Sequence, residues 1–157
     1  MRSPDGADPS GGNVVYREET PSREEFLGLF ASTGWETTLT PERLAGALAT
    51  TWHAVCAYQG DRLVGMGRTI SDGALHALIV EVIVDPACQG QGIGSEVVRR
   101  LVRRCRDAGI DQVQLFCAPG KRPFYERLGF VARRDDAPGM ELDPGELPHD
   151  MGPQALA

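Results

Sequence analysis

The sequence predicts a single α/β (α+β) domain in which helices pack on a mixed β-sheet, and three observations lead there. The chain has 157 residues, 41% of them hydrophobic and 24% charged, which suits one globular core and leaves too little for two. Its apolar periodicity switches repeatedly between the two-residue period of strands and the 3.6-residue period of helices. A glycine cluster separates a long apolar run from an amphipathic helical stretch, the arrangement of a strand feeding a helix.

The elements follow in order. Residues 1–12, rich in Gly, Pro, Ser and Asp, and residues 143–157, with Pro144, Pro148 and Pro153, read as tails flanking a domain over residues 13–142. Val14-Val15-Tyr16 forms a short strand, and Pro21-Ser22 opens a helix with Phe26, Leu27, Leu29 and Phe30 on its apolar side, ending near Gly34. Thr40 caps a second helix that has Pro41 at its first position and Leu44, Ala45 and Leu48 on one face. Alternation at Ala54–Tyr58, a polar turn at Gln59-Gly60-Asp61 and a second run over Leu63–Ile70 predict a hairpin. Ala74–Val84 is almost wholly apolar, as a strand covered on both faces should be, with Glu81 as its one carboxylate. After the glycine cluster, a helix from Ser95 to Gly109 carries Val97, Val98, Leu101, Val102 and Cys105 on one stripe and arginines elsewhere. A strand Gln112–Cys117, a helix Pro123–Leu128 and a strand Phe130–Ala132 complete the domain.

Composition limits the functions available. A formal charge of -6 opposes binding to a phosphate backbone, so no nucleic-acid partner is expected, although arginines crowd the segment 99–106. No apolar run approaches the roughly 20 residues that span a bilayer, and the N-terminus lacks the apolar segment of a secretory signal, so no membrane is expected and the location expected is cytoplasmic. The four cysteines, Cys56, Cys88, Cys105 and Cys117, form no CxxC pair and have no histidine at zinc-ligand spacing, so they read as reduced thiols with no metal. His53 and His76 read as hydrogen-bonded strand residues.

Chemistry concentrates at the glycine cluster. Gln89-Gly90-Gln91-Gly92-Ile93-Gly94 lies between a strand and a helix, where free backbone N–H groups and the helix dipole favour an anion. It is not a P-loop, because it ends Ile93-Gly94-Ser95 rather than in GK[ST], and its glycines do not fall in the register of a dinucleotide fingerprint. Preceded by Val-Ile-Val-Asp-Pro, the segment resembles the pyrophosphate-binding motif Q/R-x-x-G-x-G/A of the GNAT (Gcn5-related) N-acetyltransferase family. Phe124-Tyr125-Glu126-Arg127-Leu128-Gly129-Phe130 resembles that family's second characteristic segment. The resemblance covers Tyr16 to Leu142 and is strongest from Leu78 to Phe130.

The resemblance implies a mostly antiparallel central sheet, flanked by helices, with a splayed central strand pair and acetyl-CoA as co-substrate. Gln89, Gly90, Gln91, Gly92, Ile93, Gly94 and Ser95 would meet the pyrophosphate. The main chain of Val82, Ile83 and Val84 would hold the pantetheine and the thioester carbonyl, and Arg99 and Arg100 could reach the phosphates. Tyr125 would be the general acid that protonates the departing thiolate, because a phenol of ordinary pKa about 10 is neutral at pH 7. Glu81, costly to bury alone, is the candidate base for the amine, unless it pairs with an arginine or binds only the substrate ammonium. Trp35 and Glu36, with Asp135 and Asp136, could border the acceptor site, while Cys88 abuts the loop without a covalent role. The expected function is direct acetyl transfer to a primary amine, most simply a small molecule. The alternatives are acetylation of a protein lysine or N-terminus, and a non-catalytic CoA-binding module. An open sheet edge leaves a homodimer possible.

Overall fold

The computed structural model describes residues 12–142. The tails expected over 1–12 and 143–157 lie, apart from Gly12, outside the described residues. Nine elements run β1 (Val14–Arg17), α1 (Arg23–Ala31), α2 (Pro41–Gly46), β2 (His53–Gln59), β3 (Arg62–Ser71), β4 (His76–Val84), α3 (Ile93–Asp107), β5 (Gln112–Leu115) and α4 (Arg122–Glu126), with short 3₁₀ turns at Ala47–Thr50 and Pro86–Cys88. They build a five-stranded sheet in the order β1-β2-β3-β4-β5, antiparallel except where β4 and β5 run parallel. This is the mixed α/β (α+β) architecture that the sequence predicts, and it is mostly antiparallel, as the resemblance implies.

Local chemistry sets the ends of the elements. Ser22 caps α1 through a capping box with Glu25, and Thr40 Oγ1 accepts from Arg43 N at the start of α2. Gly60, at φ 59°, turns β2 into β3. The central strand starts at His76 rather than Ala74, because Asp72 Oδ1 accepts from the N–H groups of Ala74, Leu75 and His76 and holds them in a turn. Helix α3 begins at Ile93, two residues before the expected Ser95. Gly92, at φ 81°, makes the reversal, and Ile93 is buried on the apolar stripe.

Two expectations need correction. β5 ends at Leu115 rather than Cys117, because its last pairing with β4 is Ile79 to Leu115. No strand forms at Phe130–Ala132 among the described residues: Phe130 packs against Tyr125 with ring centroids 6.0 Å apart, Val131 is exposed, and no described residue pairs with the segment. A strand is defined by the partner that takes its N–H and C=O groups, and the described residues hold none.

Apolar side chains fill both faces of the sheet. One face buries Val55, Ala57, Val64 and Ile79 against Ile93, Val97 and Leu101 of α3, while the other buries Cys56, Tyr58, Met66 and Ile83 against Phe26 and Leu29 of α1. Helix α3 sits close because β3 offers it two bare positions. A Cβ on Gly67 would stand 2.9 Å from both Val97 Cγ1 and Leu101 Cδ1, and one on Gly65 would stand 2.8 Å from Ile93 Cγ2.

These contacts set opposite expectations for two glycines. Gly67→Ala overpacks the seat of α3 and should destabilise by about 1–3 kcal/mol. Gly28→Ala, in α1 with nothing within 4 Å of the new methyl, should be neutral or stabilise by about 0.4–1 kcal/mol. Thermal and urea unfolding of both variants checks the difference, and equal effects would contradict the packing described.

Candidate active site

A bulge in β4 creates the site. Met66 pairs with Ile83 and Arg68 with Val80, so Gly67 alone faces two residues, Glu81 and Val82. Glu81 takes φ 45°, the one non-glycine residue with positive φ among those described, a conformation that costs about 1–3 kcal/mol unless its surroundings impose it. One extra residue inverts the strand's alternation. Ile79 packs toward α3 and Ile83, four residues later, packs toward α1, while Val82 and Val84 turn to the α3 side. The pairing with β5 ends at Ile79, so the two parallel strands part where the bulge begins.

A cleft of about 450 Å³ opens between them. Val80, Glu81, Val82 and Val84 of β4 form one wall, and Phe116 and Ala118 beyond β5 face them. Gln89, Gly90, Gly92, Ile93, Gly94 and Ser95, with Lys121, Phe124, Tyr125, Arg127 and Trp35, complete the lining, and Phe124 lies beside Gly94, 3.5 Å from where its Cβ would be. Gly90 and Gly92 sit at φ 78° and 81° with no atom within 4 Å of a Cβ position, so the main chain of the loop is open to approach. Because Glu96 N donates to Gly92 O, the N–H groups of Ile93, Gly94 and Ser95 precede the first bond of α3 and stay free of it.

The loop is held from behind. Asp85 N donates to Val64 O at 2.9 Å, Asp85 Oδ1 accepts from Ala87 N, its carboxylate pairs with Arg62, and Gln89 Nε2 donates to Val84 O at 3.1 Å. The Ala87 amide bond, aided by Arg62, holds the Asp85 carboxyl below its ordinary pKa.

Among the described residues Glu81 is the one carboxylate of the cleft lining, and Lys121 and Arg127 are its two cations. Glu81 Oε2 accepts from Arg68 Nε at 2.5 Å; Arg68 is 3% exposed and Glu81 24%. Tyr125 lies half-buried in α4, its ring 4.8 Å from Phe124. Burial first, then the neighbouring Cys117 thiol, raises the pKa of its phenol.

Most of the residues that the sequence singled out therefore meet in one place. Neither Ile83 nor Gln91 is in the lining: the Ile83 side chain is buried in the α1 core, and Gln91 is exposed. Arg99 and Arg100 point elsewhere: both pair with Glu96, and Arg100 lies 4.8 Å over the Tyr16 ring. Trp35 and Cys88 reach the cleft, whereas Glu36, Asp135 and Asp136 do not line it, and Asp136 pairs with Arg134. His76 is exposed, and buried His53 Nε2 has no hydrogen-bond partner among the described residues; neither histidine lines the cleft. Sequence reasoning missed Arg68, Phe116 and Arg127. Of these, Arg68 had left a trace, as the single charge within Leu63–Ile70.

A sequence profile of the Acetyltransferase (GNAT) family matches residues 16–130. The chain belongs to that family. Its GNAT fold superposes on the acetyltransferase SP0256 of Streptococcus pneumoniae TIGR4 with a TM-score of 0.74 and 28% identity, covering 85% of this chain and 100% of that one. Among curated GNAT relatives, histone acetyltransferase TAP1 of Glycine max is 40% identical over 79 residues, 50% of this chain and 34% of its own length. Serotonin N-acetyltransferase 2, chloroplastic, of Oryza sativa subsp. japonica is 38% identical over 79 residues, 50% of this chain and 40% of its own length. The matched stretch thus spans less than half of either relative. Among the described residues no helix is long and apolar enough to cross a membrane, and no three His, Cys, Asp or Glu side chains group as a metal site.

The thiols give a direct check on this geometry. Cys56, pushed by burial up to about 12, and buried Cys88 and Cys105 should resist a disulfide reagent, whereas exposed Cys117 should react at once. The native protein should show one fast thiol of the four, abolished by Cys117→Ser. A second fast thiol would mean that the structure opens around Cys56, Cys88 or Cys105.

Proposed function

We propose that the protein transfers an acetyl group from acetyl-CoA directly to a primary amine. The observation that carries this reading is the meeting, in one cleft, of the β4 edge that β5 leaves, the glycine-lined N-terminus of α3 and the phenol of Tyr125. The cleft fits such a co-substrate. Its glycine loop admits a bulky anion, the parted strand offers backbone groups to an extended chain, and a volume of about 450 Å³ is in the range of small-molecule sites. When bound, acetyl-CoA supplies an activated thioester whose carbonyl carbon takes the amine nitrogen as its C–S bond breaks.

The free N–H groups of Ile93, Gly94 and Ser95, aided by the α3 dipole, bind the pyrophosphate, and Lys121 and Arg127 add positive charge across the cleft. The main chain of Val82 to Val84 orients the pantetheine and the carbonyl. Because Glu81 pairs with Arg68, the alternative that the sequence left open, its carboxylate in this reading receives the acceptor's ammonium and the proton leaves through water. Tyr125 gives its phenolic proton to the departing thiolate, and a raised pKa keeps that proton in place at neutral pH.

The acceptor in this reading is a small primary amine with an apolar body. Trp35, Phe116 and Phe124 line the cleft, and Glu81 is its single carboxylate among the described residues, which suits one ammonium on an apolar body rather than a tail of many charges. The relatives' names include both a histone and serotonin at nearly equal identity, so the choice rests on the cleft. Phenethylamine is a suitable probe.

Acetyl-CoA at ~100 times its Kd should stabilise the fold by about 2.7 kcal/mol, read as a rise in Tm. Gly92→Asp and Gly94→Asp should abolish that rise, and a normal rise in both would move the cofactor elsewhere. Tyr125→Phe keeps the ring, so acetyl-CoA binding should persist while kcat for phenethylamine falls by about 10²–10⁴-fold. Full activity, with product release shown not to limit, would make Tyr125 structural.

A further inference from the structure

Arg68 has no place in the scheme above, yet it is a charged side chain buried to 3% exposure beside the cleft. Among the described residues it is the one charged side chain so deeply buried. Its guanidinium donates from Nε to Glu81 Oε2 at 2.5 Å and from Nη1 to Thr51 Oγ1 at 3.4 Å. A buried ion pair is weak evidence for stability, because a well-packed apolar pair of the same volume often does as well or better. What an ion pair gives that an apolar pair does not is direction: an acid in one fixed orientation.

Direction is what this position needs. Glu81 sits at φ 45° on the extra residue of the bulge, and Arg68 pairs across the ladder with Val80, the residue just before it. Both the backbone turn and the carboxylate would be loosely determined without a partner. The Arg68 bond anchors one carboxylate oxygen inside the sheet while the side chain remains part of the cleft lining.

We propose that Arg68 is a positioning residue for the acceptor amine, aiming the Glu81 carboxylate from beneath the bulge. The proposal rests on the reading of Glu81 as the group that meets the amine. It makes Arg68 indifferent to acetyl-CoA, which is held by the loop and the β4 main chain, and decisive for the acceptor.

The test compares Arg68→Met, Arg68→Lys, Glu81→Gln and the two Arg68 changes combined with Glu81→Gln, using phenethylamine and acetyl-CoA. In Arg68→Met, kcat/KM for phenethylamine should fall on the order of 10²-fold, the scale of a misplaced reacting group. KM for acetyl-CoA should stay within about twofold, well under the tenfold of 1.4 kcal/mol. Arg68→Lys keeps the charge but not the planar donor, so it should recover only part of the loss. In the Glu81→Gln background either Arg68 change should cost little more, because Arg68 acts through Glu81. If Arg68→Met does not fold, Arg68→Lys alone and in the Glu81→Gln background carries the same comparison. Normal amine kinetics in the folded Arg68 variants, additive losses with Glu81→Gln, or an equal loss for acetyl-CoA would overturn the proposal while leaving the reading of Glu81 intact. Normal kinetics in Glu81→Gln, or no turnover of phenethylamine by the unaltered protein, would remove that reading and the proposal with it.

Discussion

The bulge at Glu81 is the constraint from which the rest of the site follows. A regular β4 would keep Ile79 and Ile83 on one face; the inserted residue sends them to opposite cores and turns Val82 and Val84 toward α3. The same irregularity coincides with the end of the β4–β5 ladder, so a strand that elsewhere satisfies its backbone within the sheet exposes N–H and C=O groups to a cleft. Such groups need partners. On the β5 side of β4 beyond Ile79 no ladder takes them among the described residues, and the buried Arg68 lies beside the strained Glu81.

Gly67 links that bulge to the helix above it. Because it has no side chain, Val97, Leu101 and Val82 all approach the place a Cβ would fill. Helix α3 can then lie low enough on the sheet to aim its first turn into the opening. The N-terminus is left without a side-chain cap, since Gly92 precedes Ile93 and cannot supply one. Uncapped amides beside parted strands suit an anion without any basic residue in the loop, so the proposed site is compatible with a chain of net charge -6.

Much of this was legible in the sequence, and what was not has physical causes. The hairpin, the helix start at Pro21-Ser22, the cap at Thr40 and the amphipathic α3 are local signals, and the structure follows them closely. Glycines 90, 92 and 94 marked the loop because they stand between an apolar run and an amphipathic stretch and because the segment resembles the family's motif. The expected strand at Phe130–Ala132 failed because strands depend on a neighbour, and alternation alone does not provide one. Arg99 and Arg100 were near the loop in sequence but turn to Glu96 and Tyr16, whereas Lys121 and Arg127 reach the cleft from α4 and its end. The bulge itself gives no sequence signal beyond a carboxylate in an apolar run, and its partner Arg68 lies 13 residues away on another strand.

The central claim is that acetyl-CoA lies between the parted strands with its pyrophosphate on the first turn of α3. Amide hydrogen exchange, followed residue by residue with and without acetyl-CoA, tests it most directly. The account predicts new protection concentrated at Val82 to Val84 and at Gly92 to Ser95, with β1, β2 and the C-terminal half of α3 unchanged. Protection spread evenly over the sheet, or confined to other segments while residues 82–84 and 92–95 exchange as before, would contradict it.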